Sequence, residues 1–324
     1  MTNAQNETSG SSRPTSDLEV VHDTAALRRK TMAWRAQRLK VALVPTMGAL
    51  HEGHLALVRM ALEQADKVVV SVFVNPTQFG PGEDFERYPR SLEDDAKKLR
   101  EVGASMLYAP SVEDMYPEGY ATNVTVEGVS RGLCGDRRPG HFRGVATVVT
   151  KLLIRVMPDI AIFGEKDYQQ LLVIRRLARD LDIPARIVPA PTQRDASGLA
   201  LSSRNQYLTD EEREIAPLFY RSLVNISKCM MSDVEREKCG IQTRGLQKCI
   251  DCAKIALSNA GFTAIDYMEL RDADTFEPVT EVDPSRPARL LGAVYLGQTR
   301  LIDNVTVPFT GDDSVAPWCG CCSH

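Results

Sequence analysis

Apolar positions along this chain fall into two alternating rhythms. Residues 41–44 form an unbroken apolar run closed by Pro45, the pattern of a strand buried on both faces. From His54 onward apolar side chains return at Leu55, Val58 and Leu62, with Leu57 and Ala61 beside them, which is helical spacing. A second unbroken run, 68–74, follows and is closed by Asn75 and Pro76. Strand, helix and strand in such short succession predict a right-handed βαβ unit with parallel strands.

The rhythm repeats. Helical spacing over 91–101, 145–156 and 168–181 alternates with strand-like runs over 104–109, 160–163 and 185–188. Such alternation predicts an α/β fold, a doubly wound parallel-sheet (Rossmann-like) domain over residues 18–192. After Thr192 the character changes to charged helices over 209–260 and strand-like runs at 267–270, 289–296 and 301–302. The expectation there is a smaller α+β domain over 193–310. Residues 1–17, rich in Ser, Thr, Asn and Gly, read as a disordered leader, and 311–324 as a flexible Cys-rich tail.

Composition narrows the class of function. With 39 Lys and Arg against 43 Asp and Glu the formal net charge is -4, so the chain carries no electrostatic footprint for nucleic acid or an anionic membrane. No apolar run approaches the roughly 20 residues of a membrane span. The leader lacks the apolar stretch of a signal peptide, so the expected compartment is the cytoplasm, where the eight cysteines would be thiols. Cys249-x-x-Cys252 and the Cys319 to Cys322 tail match no familiar zinc spacing.

Candidate chemistry concentrates where strands end. Pro45-Thr-Met47-Gly48-Ala49-Leu50-His51-Glu52-Gly53-His54 spans the turn from the strand at 41–44 into a helix, where a doubly wound sheet binds its ligand. A helix start offers backbone N–H groups and a positive dipole end to phosphate, and Gly48 and Gly53 let the backbone come close. Gly48 and Gly53 have the glycine spacing of a P-loop, but His54 and Leu55 stand where that motif needs Lys and Ser or Thr. A metal reading of His51 and His54 needs further ligands that the neighbouring sequence does not supply. Gly164-Glu165-Lys166-Asp167 lies at a second strand end, where Lys166 can reach a phosphate oxygen. Leu201-Ser202-Ser203-Arg204 sets two hydroxyls beside a guanidinium, which suits a polyphosphate. Asn75 and Gln78 close the second strand with amides that can donate and accept. Asp94 and Asp95 form a carboxylate pair that could hold Mg²⁺ or simply charge a helix start.

The H-x-G-H element is similar to the signature of the nucleotidyltransferases related to class I aminoacyl-tRNA synthetases. With the blocks around Asn75, Arg138, Gly164 and Leu201 in order, the chain resembles the pantothenate synthetase family of pantoate–β-alanine ligases over about residues 20–309. The matching blocks extend to Ile215-Ala-Pro217, Arg271-Asp-Ala-Asp274 and Leu301-Ile-Asp-Asn304. The resemblance implies ATP-dependent condensation of (R)-pantoate with β-alanine through a pantoyl adenylate, as one step towards coenzyme A. It implies Mg²⁺ with ATP as substrate, no bound organic cofactor, a homodimer and small-molecule partners only.

It also implies roles: His51, His54, Lys166 and Arg204 in catalysis, and ATP along Met47 to His54, Gly164 to Asp167 and Leu201 to Arg204. Gln193 stands where the family touches adenine through its backbone, and Asp167 would hold a ribose hydroxyl. Gln78, Gln170, Asn75, Arg138, Val145, Val148 and Val149 would form the pantoate and β-alanine site. The rival reading is an adenylyltransferase of the same superfamily, which would leave AMP on its product.

Overall fold

The computed structural model describes residues 17–229, 245–280, 283 and 285–307. The leader through residue 16, Cys239 and the tail lie outside the described residues.

Six parallel strands build the first sheet: β1 (Glu19–Val21), β2 (Val41–Thr46), β3 (Lys67–Val72), β4 (Met106–Tyr108), β5 (Ile160–Gly164) and β6 (Arg186–Ala190). Their order is β1-β4-β3-β2-β5-β6. The chain steps outward from β2 through β3 to β4, then returns to the far side of β2 with β5. The carboxyl ends of β2 and β5 therefore flank the switch point at which such sheets bind ligands.

Alternation along the strands explains the layering. Val41, Leu43 and Val69 point to one face, Ala42, Val44, Val68 and Val70 to the other, and all are buried. On the first face lie α1 (Thr24–Ala36), with α4 (Val112–Met115), α5 (Leu133–Arg137), α6 (His141–Val156) and α7 (Tyr168–Asp180). On the second lie α2 (Glu52–Gln64) and α3 (Leu92–Val102). The helix start expected at 145 lies at His141, because the polar turn before it already has helical hydrogen bonding, with Gly144 N–H donating to Gly140 carbonyl.

A smaller unit follows. Helices α8 (Asp210–Ile215), α9 (Pro217–Cys229) and α10 (Leu246–Asn259) accompany an antiparallel sheet of β7 (Phe262–Asp272), β8 (Ala288–Leu296) and β9 (Thr299–Val307). Leu290 and Val294 of β8 join Phe219, Leu223 and Leu257 in its own core. Leu291 and Ala293, on the opposite pleat, join the core of the first domain. The two units thus share packed surface rather than hanging on a linker. Among the described residues no helix is long and apolar enough to cross a membrane.

Candidate active site

The loop after β2 takes a conformation that its own sequence cannot hold alone. Gly48 and Ala49 both have positive φ, 87° and 50°, which L side chains rarely adopt. The buried Asp95 of α3 supplies the support: its carboxylate accepts from Ala49 N–H at 3.0 Å and Leu50 N–H at 2.7 Å. Lys98, one turn on, donates to Leu50 carbonyl at 2.7 Å. Burial raises the Asp95 pKa even against those two N–H bonds.

This geometry bears on two expectations. Asp95 is a backbone clamp, each oxygen accepting one N–H, and Asp94 is exposed; neither carboxylate lines the cleft. The N–H groups of Ala49 and Leu50 are likewise spent on Asp95, and Gly48, Ala49 and Leu50 do not line the cleft. Glu52 points outward and pairs with Arg59 on the exposed side of α2.

What the loop offers instead is its imidazoles. Gly53 N–H donates to Nδ1 of His51 at 3.2 Å, and His51 N–H to Nδ1 of His54 at 3.4 Å. An Nδ1 that accepts carries no proton, so in the neutral ring the proton sits on Nε2. Burial, reinforced by the Lys166 and Lys98 charges, lowers His51 to about 4. Burial and the neighbouring His51, with Lys166 and Lys98 behind it, lower His54 to about 3. Both rings are therefore neutral at pH 7, each an Nε2–H donor lining a cleft of about 220 Å³.

Lys166 enters from the corresponding turn after β5, its Nζ 3.8 Å from Asp167. Its neighbour Glu165 turns away from the cleft to pair with Arg289 at 2.9 Å. Arg204 reaches in from the loop beyond β6. Asp84 grips its Nε and Nη2 at 2.9 and 2.8 Å, which leaves the Nη1 donors for an anion. Ser203 Oγ donates to Ala49 carbonyl at 3.3 Å and ties this loop to the first.

The other half of the cleft is neutral. Val145, Val148 and Val149 of α6 form its wall, with Phe73, Leu152 and Phe163. Gln78 projects into it with a fixed polarity: Asn75 Nδ2 donates to Gln78 Oε1 at 3.1 Å, and the Gln78 NH₂ donates to Met47 Sδ at 3.1 Å with its second N–H left for a ligand. Asn75 is itself fixed, since Tyr116 O–H and Thr77 O–H both donate to its Oδ1, at 2.8 and 2.9 Å. The backbone carbonyl of Gln78 accepts from His141 Nδ1–H at 2.9 Å. Burial, then the Arg138 charge, lowers His141 to about 4 and keeps that ring neutral. Gly144 lets α6 lie directly on this segment, because a Cβ there would meet Thr77 carbonyl and stand 2.7 Å from Gln78 N.

Most residues expected at the site line one cleft: Met47, His51, Gly53, His54, Asn75, Gln78, Val145, Val148, Val149, Gly164, Lys166, Asp167, Gln170, Gln193 and Leu201 to Arg204. Gln193 carbonyl already accepts from Leu201 N–H at 2.9 Å. Arg138 pairs with Glu83, Nε to Oε1 at 2.8 Å, contacts His141 and the Gln78 carbonyl, and lines an adjoining cavity that shares Lys166, Asp167, Ser202 and Arg204 with the first. Sequence reasoning missed Lys98, Tyr116, His141 and Asp84, which act through partners distant in the chain.

A parallel sheet opening its switch point onto paired neutral histidines, a lysine turn and a serine–arginine loop is the site of an α/β enzyme. Comparison with known proteins narrows this. The family described as Pantoate-beta-alanine ligase matches residues 19–306. The pantothenate synthetase of Paramagnetospirillum magneticum is 56% identical over 291 residues, 90% of this chain and 98% of that protein. The crystal structure of pantothenate synthetase from Thermus thermophilus superposes with a TM-score of 0.79 at 45% identity, covering 89% of this chain and 99% of that one. Pantoate-beta-alanine ligase from Francisella tularensis, solved with β,γ-ATP and β-alanine, gives a TM-score of 0.71 at 33% identity over 89% and 97% of the two chains. The chain belongs to the pantoate–β-alanine ligase family.

Proposed function

We propose that this chain joins (R)-pantoate to β-alanine at the expense of ATP, through a pantoyl adenylate, releasing AMP and pyrophosphate. The observation that carries the reading is one cleft with two unlike halves. Donors for a polyphosphate stand at one end, and a valine wall with an oriented amide for a small hydroxy acid stands at the other. The family relation and the ATP and β-alanine named for the Francisella relative support it.

A carboxylate does not react with an amine directly, so it is first activated. A pantoate carboxylate oxygen bonds to the α-phosphorus, and the bond from that phosphorus to the bridging oxygen breaks, releasing pyrophosphate. Negative charge grows on the phosphate oxygens, where the Nε2–H groups of His51 and His54, Lys166 and the Nη1 donors of Arg204 can stabilise it. Gln78, Gln170 and the valine wall hold the acid for in-line attack. The β-alanine nitrogen, as free base, then attacks the acyl carbon, AMP leaves with the bonding pair, and the nitrogen gives up one proton to solvent. Mg²⁺ enters as part of the ATP substrate, held by phosphate oxygens and water. The same reading makes the enzyme a cytoplasmic homodimer, which sedimentation of the purified protein would check.

ATP–pyrophosphate exchange should require pantoate and Mg²⁺ but not β-alanine. ADP as product would sink the adenylate route, and AMP retained on the product would favour an adenylyltransferase.

A further inference from the structure

The twin turns at the switch point are held from different domains. The loop after β2 is clamped from within its own domain by Asp95 and Lys98. The turn after β5, Glu165–Asp167, has no side-chain cap, and neither does the start of α7 that follows it. Its support comes from β9. Asn304 Nδ2 donates to the carbonyls of Glu165 and Lys166, at 2.9 and 3.0 Å. Arg289 of β8 donates from Nη1 to Asn304 Oδ1 at 2.7 Å and from Nη2 to Glu165 at 2.9 Å. Asn304 is 3% exposed, and this leaves its amide one orientation, oxygen to Arg289 and nitrogen to the turn.

We infer that Asn304, braced by Arg289, is a positioning residue for Lys166, so that the small domain sets the reach of the lysine during acid activation. Neither residue lines the main cleft, and Asn304 faces a small adjoining cavity of about 30 Å³ with Lys166, Asp167 and Gln170. The inference rests on the role given to Lys166 above. Its geometric basis is independent: an uncapped turn whose last two carbonyls before Asp167 are fixed by one buried amide from another domain. A displacement of about 1 Å at a catalytic group can cost up to ~10²-fold in rate.

The test is a double-mutant cycle in ATP–pyrophosphate exchange with Lys166→Ala, Asn304→Ala and the pair. Asn304→Ala should lower exchange roughly 10- to 100-fold, with KM for ATP and the rate from preformed pantoyl adenylate much less affected. In the Lys166→Ala background the same change should cost little more, because nothing remains to be positioned. Additive losses would overturn the inference, as would full activity of Asn304→Ala beside a crippled Lys166→Ala. Wild-type exchange by Lys166→Ala would instead remove the role of Lys166, and the inference with it. If Asn304→Ala does not fold, Arg289→Gln, which loosens the brace and leaves Asn304 in place, carries the same cycle.

Discussion

His54→Ala, read across pH, separates a donor from a charge. His54 sits near 3 and His51 near 4, so the free enzyme offers two neutral Nε2–H groups rather than imidazolium. Truncation removes one preorganised donor aimed at phosphate. Comparable losses at oxyanion sites cost about 2.7–4 kcal/mol, or roughly 10² to 10³ in rate. The hydrogen bond sacrificed on the other side of the ring is weak, since His51 N–H reaches Nδ1 only at 3.4 Å. The assay is ATP–pyrophosphate exchange, read as kcat/KM for ATP from pH 5.5 to 8.5, a parameter that reports groups of the free enzyme. The ionisation of ATP itself enters wild type and variant alike and cancels in their ratio. That ratio should therefore be large and flat, with no inflection near the usual histidine value of about 6.5. A ratio that collapses as pH rises through 6.5 would refute the reasoning, because imidazolium would then be the working species. Equal slowing of the step from preformed adenylate would also remove His54 from its assigned place.

Asp95→Ala should strand the N–H groups of Ala49 and Leu50 at about 1–3 kcal/mol each, and Asp95→Asn, keeping one acceptor, should lose about half as much. Urea denaturation checks this, and unchanged stability of the Ala variant would contradict the clamp. Tyr116→Phe removes one of the two hydroxyls that fix Asn75, and at about 1 kcal/mol per such bond it should raise KM for pantoate several-fold while sparing ATP. An equal rise for both substrates would disprove the relay. His141 titrates near 4 when folded and near 6.5 when unfolded, so below 6.5 the unfolded chain takes up a proton that the folded chain refuses. Stability should then fall with pH between 6.5 and 4, by about 1.4 kcal/mol per unit for this residue. His141→Gln should show a shallower acid limb in denaturation, and an unaltered limb would count against a neutral buried ring.

The parts of the site written within one short segment were legible in the sequence. The histidine loop and the lysine turn each announce themselves by an apolar run, a polar turn and the helix that follows. Partnerships across the chain were not: Asp95 is 45 residues from Leu50, Asp84 is 120 from Arg204 and Asn304 is 138 from Lys166. Their residue types are those of ordinary helix and strand surfaces, and only the folded topology brings them together. The same limit hid the partners of Asp95 and Arg138, whose charged groups meet the chain's own groups. In the fold, β1 escaped notice because it has three residues, and α1 because Thr31 interrupts its buried stripe of Leu27 and Trp34.

The seam at Gly144 bears on how the acid is selected. With no side chain between α6 and the Thr77–Gln78 backbone, the valine wall and the donating amide move as one body. In such a pocket the bore is set by the side chains that line it, the valines with Phe73, Leu152 and Phe163. A bulkier acid would be admitted by trimming Val145, Val148 or Val149, and a softened backbone at Gly144 would misalign the amide before it made any room.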